Sequence, residues 1–238
     1  MVKHNNAPVH RNSNKAKPLV LITLIVVALI VALFVITKNQ EDTTKESVRV
    51  IEQPSLLNQP TLGNDNAPVT LIEFGDYKCP SCKTWSERLY PQLMKEYVDT
   101  GKIKFAYINV LFHGVESELA SLAAESVFDQ DPEAFWKYHK AMYGAQPAQA
   151  NHDESWITQE SLLDMAKTII PQIDLAKLEE DIKARKALPE LNLDSALVEQ
   201  YNVQLTPTIM INGIVLEDPF DYDKIKEIIN RELEDNNG

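Results

Sequence analysis

Cysteine is nearly missing from this 238-residue chain, which holds only Cys79 and Cys82. A pair so close in sequence cannot tie distant segments together, so a disulfide-stapled scaffold is excluded and the two thiols read as chemical rather than structural. Zinc is a poor alternative. A C-x-x-C pair supplies half a site, no further cysteine exists, and His113, His139 and His152 lack the H-x3-5-H spacing of the other half. Acidic residues are absent from the first 38 positions, which hold five of the 23 Lys and Arg and none of the 35 Asp and Glu. The remainder therefore carries 18 basic against 35 acidic residues, a net charge of −17. That balance argues against a nucleic-acid partner and reads as solubility. Internal repeats and low-complexity segments are also lacking, and about 175 residues beyond the N-terminal segments suffice for one domain with its own core.

Long apolar runs are absent except for one. Leu19 to Ile36 is interrupted only by Thr23 and follows a polar segment carrying Lys3, Arg11, Lys15 and Lys17. At ~1.5 Å per residue, residues 18–37 cover the ~30 Å hydrocarbon core of a bilayer. The Lys and Arg asymmetry places residues 1–17 in the cytoplasm and everything after Lys38 outside. A cleavable signal peptide is the competing reading, but its apolar segment is normally ~7–15 residues and ends at a small-x-small site that this run lacks. Residues 38–60 are polar and without apolar periodicity, which predicts a tether with a little order near Val48 to Ile51, and residues 61–238 are then the folded domain.

Val69 to Phe74 is a short apolar run broken by Gly75 and Asp76, a buried strand leading into a turn. Pro80 favours the first position of a helix, so Cys79 falls at the N-cap. Unpaired N–H groups and the positive end of the helix dipole stabilise a thiolate there, and Cys82 shares the same helical face. The helix runs to Tyr97 with a kink at Pro91, and Lys102 to Phe112 predicts a second strand, parallel to the first. Residues 113–203 read as helical. Helices are expected over Glu116–Gln130, from Pro132 to Gly144 behind Asp131, from Thr158 to Ile170, around Leu175 to Ile182, and over Leu191–Tyr201. Trp136, His139 and Tyr143 lie at helical spacing and read as core, without a role for His139. Ile209–Ile211, Asn212-Gly213 and Ile214–Leu216 form a tight hairpin, and Asp221 to Asp235 is a closing helix.

This order of elements, with Ala67 to Phe74 leading into Asp76-Tyr77-Lys78-Cys79-Pro80-Ser81-Cys82 and the later Leu205-Thr206-Pro207-Thr208, resembles a DsbA-like thioredoxin fold with a helical insertion at about 113–203. With the apolar run it is similar to the membrane-anchored Gram-positive type, BdbD-like. The resemblance covers residues 61–238 and implies an α/β domain preceded by one transmembrane helix. It implies Cys79 as nucleophile, Cys82 as resolving thiol, Pro207 as a cis proline beside them, and supporting positions at Pro80, Ser81 and Thr206. Glu73 matches the family's buried acid below the second cysteine. On position alone Glu73 has two readings: a strand-end side chain reaching solvent or a lysine, or a desolvated carboxyl that exchanges a proton with Cys82. The motif departs from the best-known DsbA sequence in carrying Pro-Ser, not Pro-His, between the cysteines, which removes a cationic partner for the thiolate.

The function expected is an extracytoplasmic thiol:disulfide oxidoreductase that introduces disulfides into exported proteins, single-pass in the cell membrane, with no dissociable cofactor and no metal. By the resemblance its partners are reduced exported proteins and a quinone-linked, DsbB-like membrane reoxidant. The alternatives are a reductase or isomerase using the same cysteines, and a membrane-tethered binding or chaperone module in which they are incidental.

Overall fold

A computed structural model describes residues 25–33, 48–49, 52–147 and 155–236. The chain divides into two units, residues 1–46 and 47–238. In the first, residues 25–33 form a helix, α1, with exposed side chains. The rest of the apolar stretch, residues 18–24 and 34–37, lies outside the described residues, as do 1–17. Among the described residues no helix is long and apolar enough to cross a membrane.

The second unit is built on a six-stranded sheet in the order β1-β6-β5-β3-β4-β2. At its centre lies β3 (Val69–Gly75), all seven residues buried. It pairs in parallel with β4 (Ile103–Asn109) and antiparallel with β5 (Thr208–Ile211). Alternation along β3 splits its side chains between two layers. Val69 and Leu71 join a core with Phe105, Tyr107 and the helices beneath the cysteines, whereas Ile72 and Phe74 join Ala106, Ile108 and Met210 on the opposite face. Both faces are thus covered, the condition for a run as apolar as Val69–Phe74.

Local signals account for most boundaries. The helix after Cys79 is α2 (Pro80–Arg88), and it breaks at Leu89, just before Pro91. Its continuation is the short α3 (Tyr90–Leu93) and a π-helical segment, Met94–Val98, not one kinked helix to Tyr97. The insertion comprises α4 (Val115–Gln130), α5 (Pro132–Ala145), α6 (Gln159–Ile169), α7 (Leu175–Lys183) and α8 (Leu188–Gln200). Asp131 caps α5 by accepting from the N–H groups of Glu133 and Ala134, and Thr158 with Ser161 forms a capping box on α6. The hairpin of β5 and β6 (Ile214–Val215) turns through Asn212 and Gly213, whose φ angles of 45° and 77° are the left-handed pair that a two-residue turn demands. The closing helix α9 (Tyr222–Asp235) is capped by Asp221.

The edges of the sheet differ from expectation. The fold takes in residues before 61: β1 (Val48–Arg49) pairs with β6, Pro54 and Pro60 are buried, and Leu56 packs on the second core. On the other edge β2 (Thr61–Gly63) pairs with β4. Strands of two or three residues are too short to show a period in sequence, so the expected tether over 38–60 gives way to structured chain from Val48–Arg49 and from residue 52 onward.

Candidate active site

Cys79 stands at the N-cap of α2 in extended conformation (φ −74°, ψ 121°), with Pro80 directly after it. Its thiol is 6% exposed, whereas Cys82, one turn on, is fully buried, and neither is in a disulfide. The loop leading into β5 lies against Cys79. The peptide bond Thr206–Pro207 is cis, and the Cys79 Sγ–H donates to the Thr206 carbonyl at 3.3 Å. Pro207 is buried, and Ser81 is exposed at the surface of the turn. Cys79, Cys82, Pro80, Ser81, Thr206 and Pro207 thus come together in one place.

The electrostatics separate the two sulfurs. The Cys79 thiol is lowered to about 5, chiefly by a hydrogen bond from Cys82; burial opposes this, and the Thr206 side chain and the N–H groups of Cys82 and Ser81 reinforce it. Cys82 is held well above the usual thiol range by burial, by the bond it gives Cys79 and by the Cys79 and Glu73 charges. At neutral pH the pair is therefore a thiolate at Cys79 and a thiol at Cys82.

Glu73 lies on the β3 face shared with Leu71, across from Tyr107 of β4 and Ile209 of β5. It is fully buried, and both carboxyl oxygens lack a hydrogen-bond partner. Burial, then the Cys79 charge, pushes its pKa well above the carboxylate range. Ionising Glu73 would raise Cys82 further, so a carboxyl that keeps its proton spares Cys82 that charge. The strand-end reading, with Glu73 reaching solvent or a lysine, does not describe this environment.

Several neighbours of the motif carry no local signal in the sequence. Asp76, read as a turn residue, is fully buried, and its carboxylate accepts from the N–H groups of Lys78 (2.8 Å), Phe112 (3.0 Å) and His113 (3.2 Å), from His113 Nδ1 (2.8 Å) and from Ser117 Oγ (2.9 Å). Its backbone N–H donates to Cys82 Sγ at 3.5 Å, and its carbonyl accepts from the Cys79 N–H at 3.0 Å. Lys78 is 2% exposed and ion-paired with Glu116 of α4. Gln146, just past α5, donates from Nε2 to the carbonyls of Tyr77 (3.0 Å) and Cys79 (3.3 Å). His139 is buried against Tyr77, whose hydroxyl lies 2.9 Å from its Nδ1, and burial pulls its pKa down to about 3. Tyr107 and Tyr143 meet at 2.8 Å through their hydroxyls. Gly75 is required beside them, since a Cβ there would lie 2.5 Å from the Tyr107 ring.

A thioredoxin-like sheet, a C-x-x-C pair opening a helix with one thiolate and one thiol, and a cis-proline loop against the reactive sulfur define a protein dithiol oxidoreductase. Comparison with known proteins agrees. The family described as Thioredoxin matches residues 55–231. Disulfide bond formation protein D of Bacillus subtilis is 42% identical over 181 residues, covering 76% of this chain and 80% of that protein. Probable disulfide bond formation protein D of Bacillus anthracis is 34% identical over 225 residues, 94% of this chain and 99% of that one. The crystal structure of oxidised BdbD from Bacillus subtilis superposes with a TM-score of 0.74 at 41% identity, over 79% of this chain and 99% of that one. The chain belongs to the disulfide bond formation protein D family of thioredoxin-fold protein disulfide oxidoreductases.

Proposed function

We propose that this protein is an extracytoplasmic disulfide donor, anchored in the cell membrane by residues 18–37 with residues 1–17 inside, that oxidises thiols of exported proteins. The observation that carries the direction of electron flow is the split between the two sulfurs, an anionic Cys79 beside a protonated Cys82. Stabilising the Cys79 thiolate stabilises the reduced enzyme and makes its disulfide a strong oxidant. In the oxidised enzyme a substrate thiolate attacks Cys79 Sγ and the Cys79–Cys82 bond breaks. Cys82 leaves and takes a proton from Glu73, which later regains one from solvent. The second substrate thiolate then attacks the substrate sulfur of the mixed disulfide and Cys79 leaves as thiolate. Two electrons pass from substrate to enzyme, one proton rests on Cys82, and the other substrate proton goes to solvent. A quinone-linked, DsbB-like membrane protein is the reoxidant proposed; its chemistry needs only an accessible Cys79.

Equilibration of the full-length protein with glutathione redox buffers tests the direction. An oxidase remains reduced at ratios that would oxidise a thioredoxin-like reductase, and an equilibrium on the reducing side would overturn the assignment. The sign with pH follows from the lowered Cys79. Stabilisation of the dithiol form relative to the disulfide is present above the ordinary thiol value of ~8.5 and is lost as pH falls through about 5. Cys82→Ser should collect client proteins on Cys79 as mixed disulfides, and Cys79→Ser none; the reverse pattern would exchange the roles. Protease added to intact protoplasts should remove the whole redox domain, and its survival would end the extracytoplasmic placement.

A further inference from the structure

The dipeptide between the cysteines offers no cation to the thiolate, yet a histidine from another element reaches the same loop. His113 precedes α4, is part-buried, and places Nδ1 2.8 Å from the Asp76 carboxylate, whose own backbone carbonyl holds the Cys79 N–H at 3.0 Å. The charged groups around this point come from three elements. The turn after β3 brings Asp76 and Lys78, α2 brings Cys79 at its N-cap, and α4 brings Glu116, with Ser117 supplying an uncharged hydroxyl to Asp76. Lys78 is balanced by Glu116, which also accepts from the Trp156 and Ile157 N–H groups at 2.9 Å each. With His113 protonated, Asp76 is balanced as well. With His113 neutral, the turn carries one uncompensated buried anion next to the sulfur that must itself become an anion.

We propose that His113 is the electrostatic partner of the active site, supplying through Asp76 the positive charge that the Pro-Ser dipeptide omits and so allowing the Cys79 thiolate to form without facing a second buried anion. His113 acts through Asp76 and is a positioning residue. The coupling runs both ways: the Asp76 hydrogen bond, and the Asp76 and Cys79 charges, hold the His113 proton above the ordinary imidazole value against the pull of burial and Lys78. Its charge, and hence its help to Cys79, is therefore complete at acid and neutral pH and is lost as pH rises through the raised value. The inference rests on Cys79 being the nucleophile described above.

The test uses reduced full-length protein carrying His113→Gln or His113→Lys, with wild type beside them. Thiolate absorbance gives the Cys79 titration, and glutathione equilibria at pH 6 to 9 give the oxidising strength. His113→Gln should raise the Cys79 pKa by about one unit, the low end for removing a nearby opposite charge, and should weaken oxidation of glutathione about fivefold at pH 6. The difference from wild type should shrink toward nothing by pH 9. His113→Lys should keep the low Cys79 value and hold its oxidising strength across the whole range, which a purely structural role for the imidazole would not produce. If Cys79 still reacts but all three proteins give superimposable titrations and potentials, the inference fails while the assignment of Cys79 stands. If both variants shift alike with no dependence on pH, His113 is structural and the proposal is overturned. If Cys79 in wild type shows no thiolate below pH 8, the nucleophile assignment itself falls.

Discussion

Two buried acids three residues apart, Glu73 within β3 and Asp76 in the turn after it, are both fully inaccessible to solvent yet live under opposite conditions. Glu73 is set in a strand, where the backbone N–H groups are consumed by the ladders to β4 and β5, and both its oxygens go without a donor. Asp76 is set where the chain turns, and five donors from the turn, from the start of the insertion and from α4 converge on its carboxylate. Hydrogen-bond donors, not burial, decide what a buried carboxyl becomes. One is a group that keeps its proton and can lend it; the other is a hydrogen-bond acceptor that holds the active-site loop to the helical insertion.

The comparison is sharpest under substitution. Asp76→Leu should be the most damaging change, lowering stability by about 3–5 kcal/mol because it strands the His113 imidazole, three N–H groups and a hydroxyl. Denaturant midpoints of the reduced protein would measure this, and a loss below about 1 kcal/mol would show that the network is slack. Glu73→Leu, the same change of chemistry three residues earlier, should leave stability unchanged or raised while slowing thiol exchange between pH 5 and 8. The pH dependence follows from the raised Glu73 pKa. The folded state keeps the proton to higher pH than the unfolded chain, which ionises near ~4.3, so wild-type stability declines as pH rises above that value, by up to ~1.4 kcal/mol per unit. The advantage of Glu73→Leu in melting temperature should therefore grow from pH 5 to pH 8. Parallel melting curves across that range would contradict a carboxyl held neutral.

A finer distinction concerns the sulfurs above these acids. Iodoacetamide should modify Cys79 far faster than Cys82 at pH 6, with the Cys79 rate rising through about pH 5; equal rates would remove the asymmetry. The smallest effect expected is that of Ser117→Ala, which takes one of five donors from Asp76 and should cost about 1 kcal/mol. A cost as large as that of Asp76→Leu would mean that Ser117 holds the turn by other contacts.

Much of the fold was legible because its signals are local. Pro80 marks the start of α2 and so puts Cys79 at the N-cap, Asp131-Pro132 opens α5, Thr158 opens α6, and Asn212-Gly213 turns the hairpin. Asp131 and Thr158 satisfy the backbone N–H groups of the helices they open, whereas Pro80 and Asn212-Gly213 act through the backbone angles they favour, all within a few positions along the chain. The single acid in Val69–Phe74 was visible for the same reason, as an exception within a period.

What the sequence by itself determined is thus the order of the elements, the place of the reactive pair at the head of a helix, and the balance of charge. The tertiary structure alone decided that Val48–Arg49 and Thr61–Gly63 complete the sheet, and that Glu73 is buried without a donor. It also decided that Asp76 meets His113 from 37 residues away and that Gln146 reaches back 69 residues to the Tyr77 carbonyl. These contacts depend on which strands pair and in which register, and on how an insertion packs over the sheet. Such choices are settled by the whole core at once, so no short stretch of residues records them.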